Sequence, residues 1–503
     1  MTPSSAIALT QNIRTGTALW LATCIVVGVA CIAFQDAWLS ALLICIGALV
    51  AGKLARRVQL WRACILVGLT GFIVLNYGFE NLIAGHVAGI PLIVGEMLMF
   101  AGLALGWWTH REGAAALFRH PAMKCIIALG VLASVHLISN VPKFGLYAFR
   151  DASTFFEALF LVAGFVWALE PGSIRMLNRW LLFLFVANFL YACTLPVGET
   201  LQEHSPASGV FQPIPLLGQY QHNGLYIVSG ALFCLWIAPY VVRWKRWILI
   251  SLAVIQLSAL VILQTRSMYI GMVLVVLVTF VIGERRKCAQ LLPVMGFGVA
   301  AMATFVVIVS AFNINIQGRV MEISGTSIPE HVDSVFALTD QQDRLGQDQD
   351  RLDWINQVWT DTTADTGTLI FGQGFGKPLI DFERDGVPVR QPHNSTLGVF
   401  GRLGVSGVMV WIAFHLYVFN TLLNFIRRTR GSHNENRDFM VWLLGFYVLA
   451  LLLSMVQPAF EFSHGAVPLY FLLGVGLSLA HTAPQTAKVA AFGAAPSTAQ
   501  ASV

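Results

Sequence analysis

Apolar residues fall along this chain in runs long enough to cross a lipid bilayer, separated mostly by short polar connections. About 20 mainly apolar residues span the hydrocarbon core, which is about 30 Å thick. Such runs lie near residues 17–34, 37–52, 61–77, 88–108, 122–138, 153–170, 178–195, 223–242, 246–264, 268–284, 291–312, 395–425, 438–456 and 465–482. The second is short and the twelfth long. The pattern predicts an all-α polytopic membrane protein with about 12–14 transmembrane helices and one large polar loop between Asn313 and His393. It divides the chain into N-terminal transmembrane helices (1–204), a second helical group (205–312), the loop (313–394) and C-terminal helices (395–482). The tail, 483–503, is rich in Ala, Thr, Ser and Pro and reads as disordered.

Composition agrees with this division. Hydrophobic residues are 56% of the chain and charged residues 11%, with a mean hydropathy of +0.70. Soluble domains carry about 25% charged residues. The basic residues supply an independent test, because Lys and Arg collect in cytoplasmic loops. With the N-terminus inside, 21 of the 31 basic residues fall in inner segments, and the short outer loops hold only Lys143, Arg150 and Arg266. The other seven lie in or just after the long loop, which is exempt from the rule. Both termini are therefore expected in the cytoplasm. The net charge of +5 reflects this asymmetry and gives no sign of a nucleic-acid partner. The first apolar run lacks a small-residue cleavage site and reads as a retained span. The eight cysteines lie in or beside spans, so neither a disulfide framework nor a zinc site is expected. No His/Asp/Glu grouping has metal-ligand spacing.

The long loop holds 13 of the 26 acidic residues, most of them read as a solvated face, and it far exceeds the roughly 15 residues beyond which loops are usually functional or disordered. Within Asp350–Thr360, Leu352, Ile355 and Trp359 recur at helical spacing, an amphipathic pattern suited to lying against a membrane face. Gly372-Gln373-Gly374-Phe375-Gly376 follows. With no strand before it and no helix opening after it, it reads as a tight turn rather than a dinucleotide fingerprint. Next come His393-Asn394, nine further residues (395–403) and then Gly404-Val405-Ser406-Gly407, running into the long twelfth span.

This histidine segment resembles the signature of bacterial O-antigen ligases, and lipid-linked polysaccharide polymerases share the architecture. Gln264-Thr265-Arg266-Ser267 is similar to that family's Ser/Thr-Arg turn. Arg351-Leu352-Asp353-Trp354, followed by Leu369 to Gly376, looks like its approach to the histidine, and Gly209 through Gly224 resembles a further family segment. The likeness covers roughly residues 205–480. The family has about twelve spans, so the extra pair here is N-terminal.

The resemblance implies a glycosyltransferase in the bacterial inner membrane with a periplasmic loop and active site. It would move a glycan from undecaprenyl diphosphate to an acceptor hydroxyl, inverting the anomeric centre without metal or cofactor. Its partners would be the lipid-linked glycan donor, membrane lipid, and a lipid A–core or other glycan acceptor. The residue types suit that chemistry. Arginine donates paired hydrogen bonds to phosphate and stays charged, and histidine titrates near 6.5 and serves as a general base. His393 is the candidate base, against the plainer reading of a helix cap or a bond to Asn394. Arg266 is the first candidate for the diphosphate, against snorkelling to headgroups. Arg402, nine residues after His393 and inside a span, is a further diphosphate candidate and needs a partner or a cavity. Arg319, Arg351, Asn394 and Arg150 are secondary candidates. Glu96 is expected to pack against an arginine or a backbone group. Glu157, His136, His222, Glu461 and His464 stand near outer span ends and could line the pocket. The competing class is a lipid-linked oligosaccharide flippase, which should instead show an internal repeat and a cationic cavity at the midplane.

Overall fold

The computed structural model describes residues 59–87, 90–218, 223–262, 266–282, 284–311, 316–317, 322–323, 342–384, 387–431 and 434–493. The expected spans 17–34 and 37–52, together with Arg319 and His222, lie outside the described residues. The rest form a multi-pass helical membrane protein. Seven described helices are long and apolar enough to cross a bilayer: Leu60–Glu80, Pro121–Phe144, Leu146–Ala168, Ser173–Ala192, Ser395–Arg428, Glu435–Ser454 and Ser463–Thr482. Gly224–Tyr240 and Ser267–Val281 are apolar but shorter.

The first span is α1 (Leu60–Thr70), continued by a π turn and α2 (Asn76–Glu80). A hairpin of β1 (Ile83–Val87) and β2 (Ile90–Ile93) precedes α3 (Val94–Ala114). The expected span 88–108 therefore starts later than its hydropathy suggests. Pro91 and the β-branched residues around it favour an extended chain. There follow α4 (Pro121–Phe144), α5 (Leu146–Glu157), α6 (Phe160–Ala168), α7 (Ser173–Ala192), the short α8 (Gly198–Glu203) and a minimal hairpin pairing Ala207–Ser208 with Ile214–Pro215. The next group is α9 (Gly224–Ile237), α10 (Arg243–Ile262), α11 (Arg266–Val281) and α12 (Arg285–Ala311).

The long polar loop contains α13 (Gln342–Thr363), α14 (Thr366–Phe371) and a hairpin of Phe382–Arg384 with Val387–Val389. It closes over its own small core of Val358, Leu379 and Ile380. The last helices are α15 (Ser395–Arg428), α16 (Glu435–Ser454) and α17 (Ser463–Gly493). α17 runs past residue 482 into the segment expected to be disordered; its alanines are strong helix formers.

The two ends of the bundle differ in chemistry. At one end basic and acidic side chains pair. Arg62 meets Glu170 at 2.6 Å, with His110 on the same carboxylate at 3.0 Å. Lys287 meets Asp438 at 2.5 Å, and Arg437 meets Glu284. At the other end lie the loop, the start of α15 and a group of buried acids. α17 and α6 reach this end in close contact, because a side chain at Gly164 or Gly474 would strike the backbone of the facing helix.

Candidate functional site

The site is organised by a break in α15. Gly404 adopts φ 64°, ψ −162° inside the helix, a region almost confined to glycine that costs other residues about 1–3 kcal/mol. The break frees carbonyls of the preceding turn. The amide of Gln373 donates to Gly401 O at 2.8 Å, and that of Gly374 donates to Arg402 O at 3.1 Å. The glycine segment expected to form a tight turn is therefore a strip of backbone bonded into a helix break. Gly372, Gly374 and Gly376 all have positive φ, and a side chain on Gly372 would strike the backbone of Arg402 and Leu403. α14, just upstream, is capped by Asp365, whose carboxyl is held below the usual range by bonds from the Thr368 hydroxyl and the Thr368 and Gly367 amides.

Beneath this strip lies a buried ionic clasp. Asp151 of α5, fully buried at its side chain, meets Arg402 at 2.8 Å and Arg390 at 3.1 Å. It also accepts from the Gly376 amide at 3.0 Å. Arg402 donates to the carbonyls of Gly374 (3.1 Å) and Lys377 (2.6 Å). Arg390 donates to Gly376 O at 2.6 Å and lies over the Tyr147 ring at 4.4 Å. The guanidinium of Arg402, expected to face diphosphate, is thus engaged with Asp151 and two loop carbonyls. This is how a span start accommodates an arginine: it is paired and hydrogen-bonded inside protein. Asp151 and Arg390 had drawn no site role from the sequence. They are far apart in the chain, and neither carries a local motif.

Glu461, in the turn between α16 and α17, completes this group. Its Oε1 lies against Gly398, and its Oε2 has no hydrogen-bond partner. Burial pushes its carboxyl up to about 8, with Arg402 opposing the shift and Asp151 adding to it. Asp151, Gln391, Ser395, Arg402, Phe460 and Glu461 line a cavity of about 10 Å³, room for about one water.

A second buried group adjoins it. His464 Nδ1 lies 2.8 Å from Glu80, whose Oε2 also accepts from the His464 amide at 3.0 Å. The Ser463 hydroxyl donates to Glu157 at 2.6 Å and lies 3.5 Å from Glu96. Glu96 therefore meets a serine hydroxyl rather than the expected arginine or backbone partner. It sits in the first turn of α3, because the hairpin takes up the residues just before Val94.

His393 stands at the junction of loop and helix with φ 50°, one of two described non-glycine residues at positive φ. Its half-buried ring lies 5.4 Å from that of Trp354 on α13. Asn394, a substrate candidate, is the N-cap of α15, its Oδ1 accepting from the Leu397 amide at 3.0 Å. Arg351 is exposed on α13, one helical turn before Trp354, and so shares the helix face that carries the histidine's partner. Arg266 opens α11. α11 packs antiparallel on α16, with Gly271 beside Leu449 and Gly445 beside Val275, so Arg266 begins at the same end of α16 at which α15 starts. His136 packs its ring against Phe375 at 6.1 Å, and Arg150 lies over Phe211 at 5.1 Å. Among the described residues, no group of three or more His, Cys, Asp or Glu is placed to hold a metal ion.

No curated protein matches the chain. Residues 251–412 match the family described as O-antigen ligase. That stretch, about a third of the chain, holds Arg266, Arg319, Arg351, the glycine strip, His393, Asn394 and Arg402, and over it the chain is similar to the O-antigen ligase family.

Proposed function

We propose that the protein transfers a glycan from undecaprenyl diphosphate to an acceptor hydroxyl at the periplasmic face of the bacterial inner membrane, with a lipid A–core sugar as acceptor. The observation that carries this reading is the backbone of His393, a non-glycine residue at φ 50° on the lip between a folded outer loop and a capped helix. Such conformations concentrate at functional sites. The family match covers the same stretch.

In this reading a nitrogen of His393 takes the proton of the acceptor hydroxyl while its oxygen attacks the anomeric carbon. The bond from that carbon to the diphosphate oxygen breaks on the opposite face, the electron pair leaves with undecaprenyl diphosphate, and the configuration inverts. Diphosphate is a good leaving group, so the need is for cations to hold it. Arg266, Arg351 and Arg319 take that role in place of a divalent ion. Arg402 and Asn394 serve the same site from behind: Arg402 fixes the glycine strip, and Asn394 fixes the start of α15. The Trp354 ring orients the imidazole.

The test is transfer by the purified protein in lipid nanodiscs, with a polyprenyl-diphosphate-linked glycan and lipid A–core, in the presence of a chelator. Chelator-insensitive glycan on lipid A–core supports the reading. Longer lipid-linked chains without transfer to core would make the protein a polymerase. Dependence on a divalent ion would remove the arginine-only account, and no product of either kind would remove the transferase assignment.

A further inference from the structure

We propose that the outer loop is seated in the membrane by an apolar edge formed by Leu352, Ile355 and Trp359 of α13 with Ile370 and Phe371 of α14, and that its partner is the outer leaflet of the bilayer. α13 uses one stripe, Trp354, Val358 and Thr362, to pack on the loop core and α15. The adjacent stripe is apolar yet exposed: Leu352 at 55%, Ile355 at 40% and Trp359 at 58%. On the next helix Ile370 and Phe371 are exposed at 42% and 53%. Apolar side chains of this size, clustered and uncovered beside a polar loop, mark an interaction surface.

Continuity with the lipid-facing surface identifies the occupant. Trp359 stacks on Phe400 of α15, with ring centroids 5.4 Å apart. One turn further along α15, a side chain on Gly404 would meet the backbone of Ile370 at 2.6 Å. From that point α15 exposes Val405, Met409, Ile412 and Leu416, an i, i+4, i+7, i+11 stripe on a membrane-crossing helix. The edge and the stripe meet at Gly404. α15 has 34 residues, about 51 Å at about 1.5 Å per residue. From Val405 to Arg428 it measures about 36 Å, enough alone to cross a core of about 30 Å. The hydrocarbon boundary therefore falls near Gly404, at the level of Ile370 and Phe371, and the turns from Ser395 to Leu403 stand above it with the loop. A tryptophan at that height suits the membrane–water interface. On the same unit Asp365, the cap of α14, is polar and exposed, and in this arrangement it stays in water.

The seating bears on the site, because α13 also carries Trp354, whose ring packs on His393. An edge held in the leaflet sets His393 at headgroup height, where a polyprenyl carrier presents its diphosphate. This consequence rests on the proposed transfer reaction; the seating does not.

The unmodified protein in nanodiscs of phosphatidylethanolamine and phosphatidylglycerol, containing a phospholipid with a diazirine in its acyl chain, is irradiated and its peptides are mapped. Adducts are expected on peptides covering 352–359 and 370–371 as well as on the spanning helices. Adducts confined to the spanning helices would overturn the proposal. In a second measurement, spin labels at Ile355, Phe371 and Asp365, with the native cysteines replaced, report collisions with oxygen and with a water-soluble nickel chelate. The oxygen-to-nickel ratio should be several-fold higher at Ile355 and Phe371 than at Asp365. Equal ratios at all three mean a water-exposed edge. Exclusion of both reagents at Ile355 and Phe371 means a protein cover. Either result overturns the proposal, and neither depends on transferase activity.

Discussion

At the scale of single residues, the clasp at Asp151 is the clearest case of structure answering a question posed by the sequence. A buried arginine is expensive unless it is paired, and Arg402 is tolerated because it pairs with Asp151 and donates to the carbonyls of Gly374 and Lys377. Removing one partner of a buried pair costs about 3–5 kcal/mol, since the charge left behind is uncompensated. Asp151→Asn should lower the unfolding midpoint of the solubilised protein sharply, and a midpoint equal to wild type would show that the arginines find other partners. Glu461 gives a pH dependence. Its folded carboxyl titrates at about 8 against an unfolded value of 4.5, so its contribution to stability is complete below 4.5. That contribution shrinks as pH rises through this window and is gone above about 8. Glu461→Gln should therefore flatten the fall in thermal stability between pH 5 and 8. An unchanged profile would assign the titration to another group. From sequence, Arg402 was visible as an anomaly and Glu461 as a pocket candidate. Asp151 and Arg390 were not, because no pattern within either neighbourhood records a partner more than two hundred residues away.

At the scale of elements, the glycine strip and the break in α15 are one device. The sequence places Gly404 inside the histidine motif and the three glycines in the loop, but only the fold bonds Gln373 and Gly374 to the carbonyls beside the break. Gly372→Ala has both a positive φ and a backbone collision against it. It should loosen the loop from α15, read as faster limited proteolysis between residues 366 and 390 while the spanning helices stay intact. Proteolysis at the wild-type rate would mean that the strip is not what holds the loop. Periodicity succeeded where an element obeys one environment: the amphipathic stripe of α13 and most spans follow their hydropathy. It misplaced the start of α3, where apolar β-branched residues form a hairpin of the same hydropathy as the helix that follows.

At the scale of the whole molecule, the orientation expected from Lys and Arg would put the loop end of the bundle outside and the end that holds Arg62, Lys287 and Arg437 inside. The pairs Arg62–Glu170, Lys287–Asp438 and Arg437–Glu284 lie at one end, and the Asp151 clasp with Arg390 and Arg402 lies at the other beside the buried acids Glu80 and Glu157. With native cysteines replaced, a cysteine at Asp365 should react in intact cells with a maleimide that cannot cross the membrane, and one at Arg175 only after the membrane is opened. The reverse pattern would invert the orientation and move the site to the cytoplasm. The central claim is glycan transfer centred on His393, and complementation tests it most directly. A strain lacking the gene is restored with wild type or His393→Ala at equal membrane abundance, and its lipopolysaccharide is separated on a gel. The account predicts that wild type restores the glycan-bearing bands and that His393→Ala leaves bare core with glycan held on its lipid carrier. Wild-type bands from His393→Ala would contradict it.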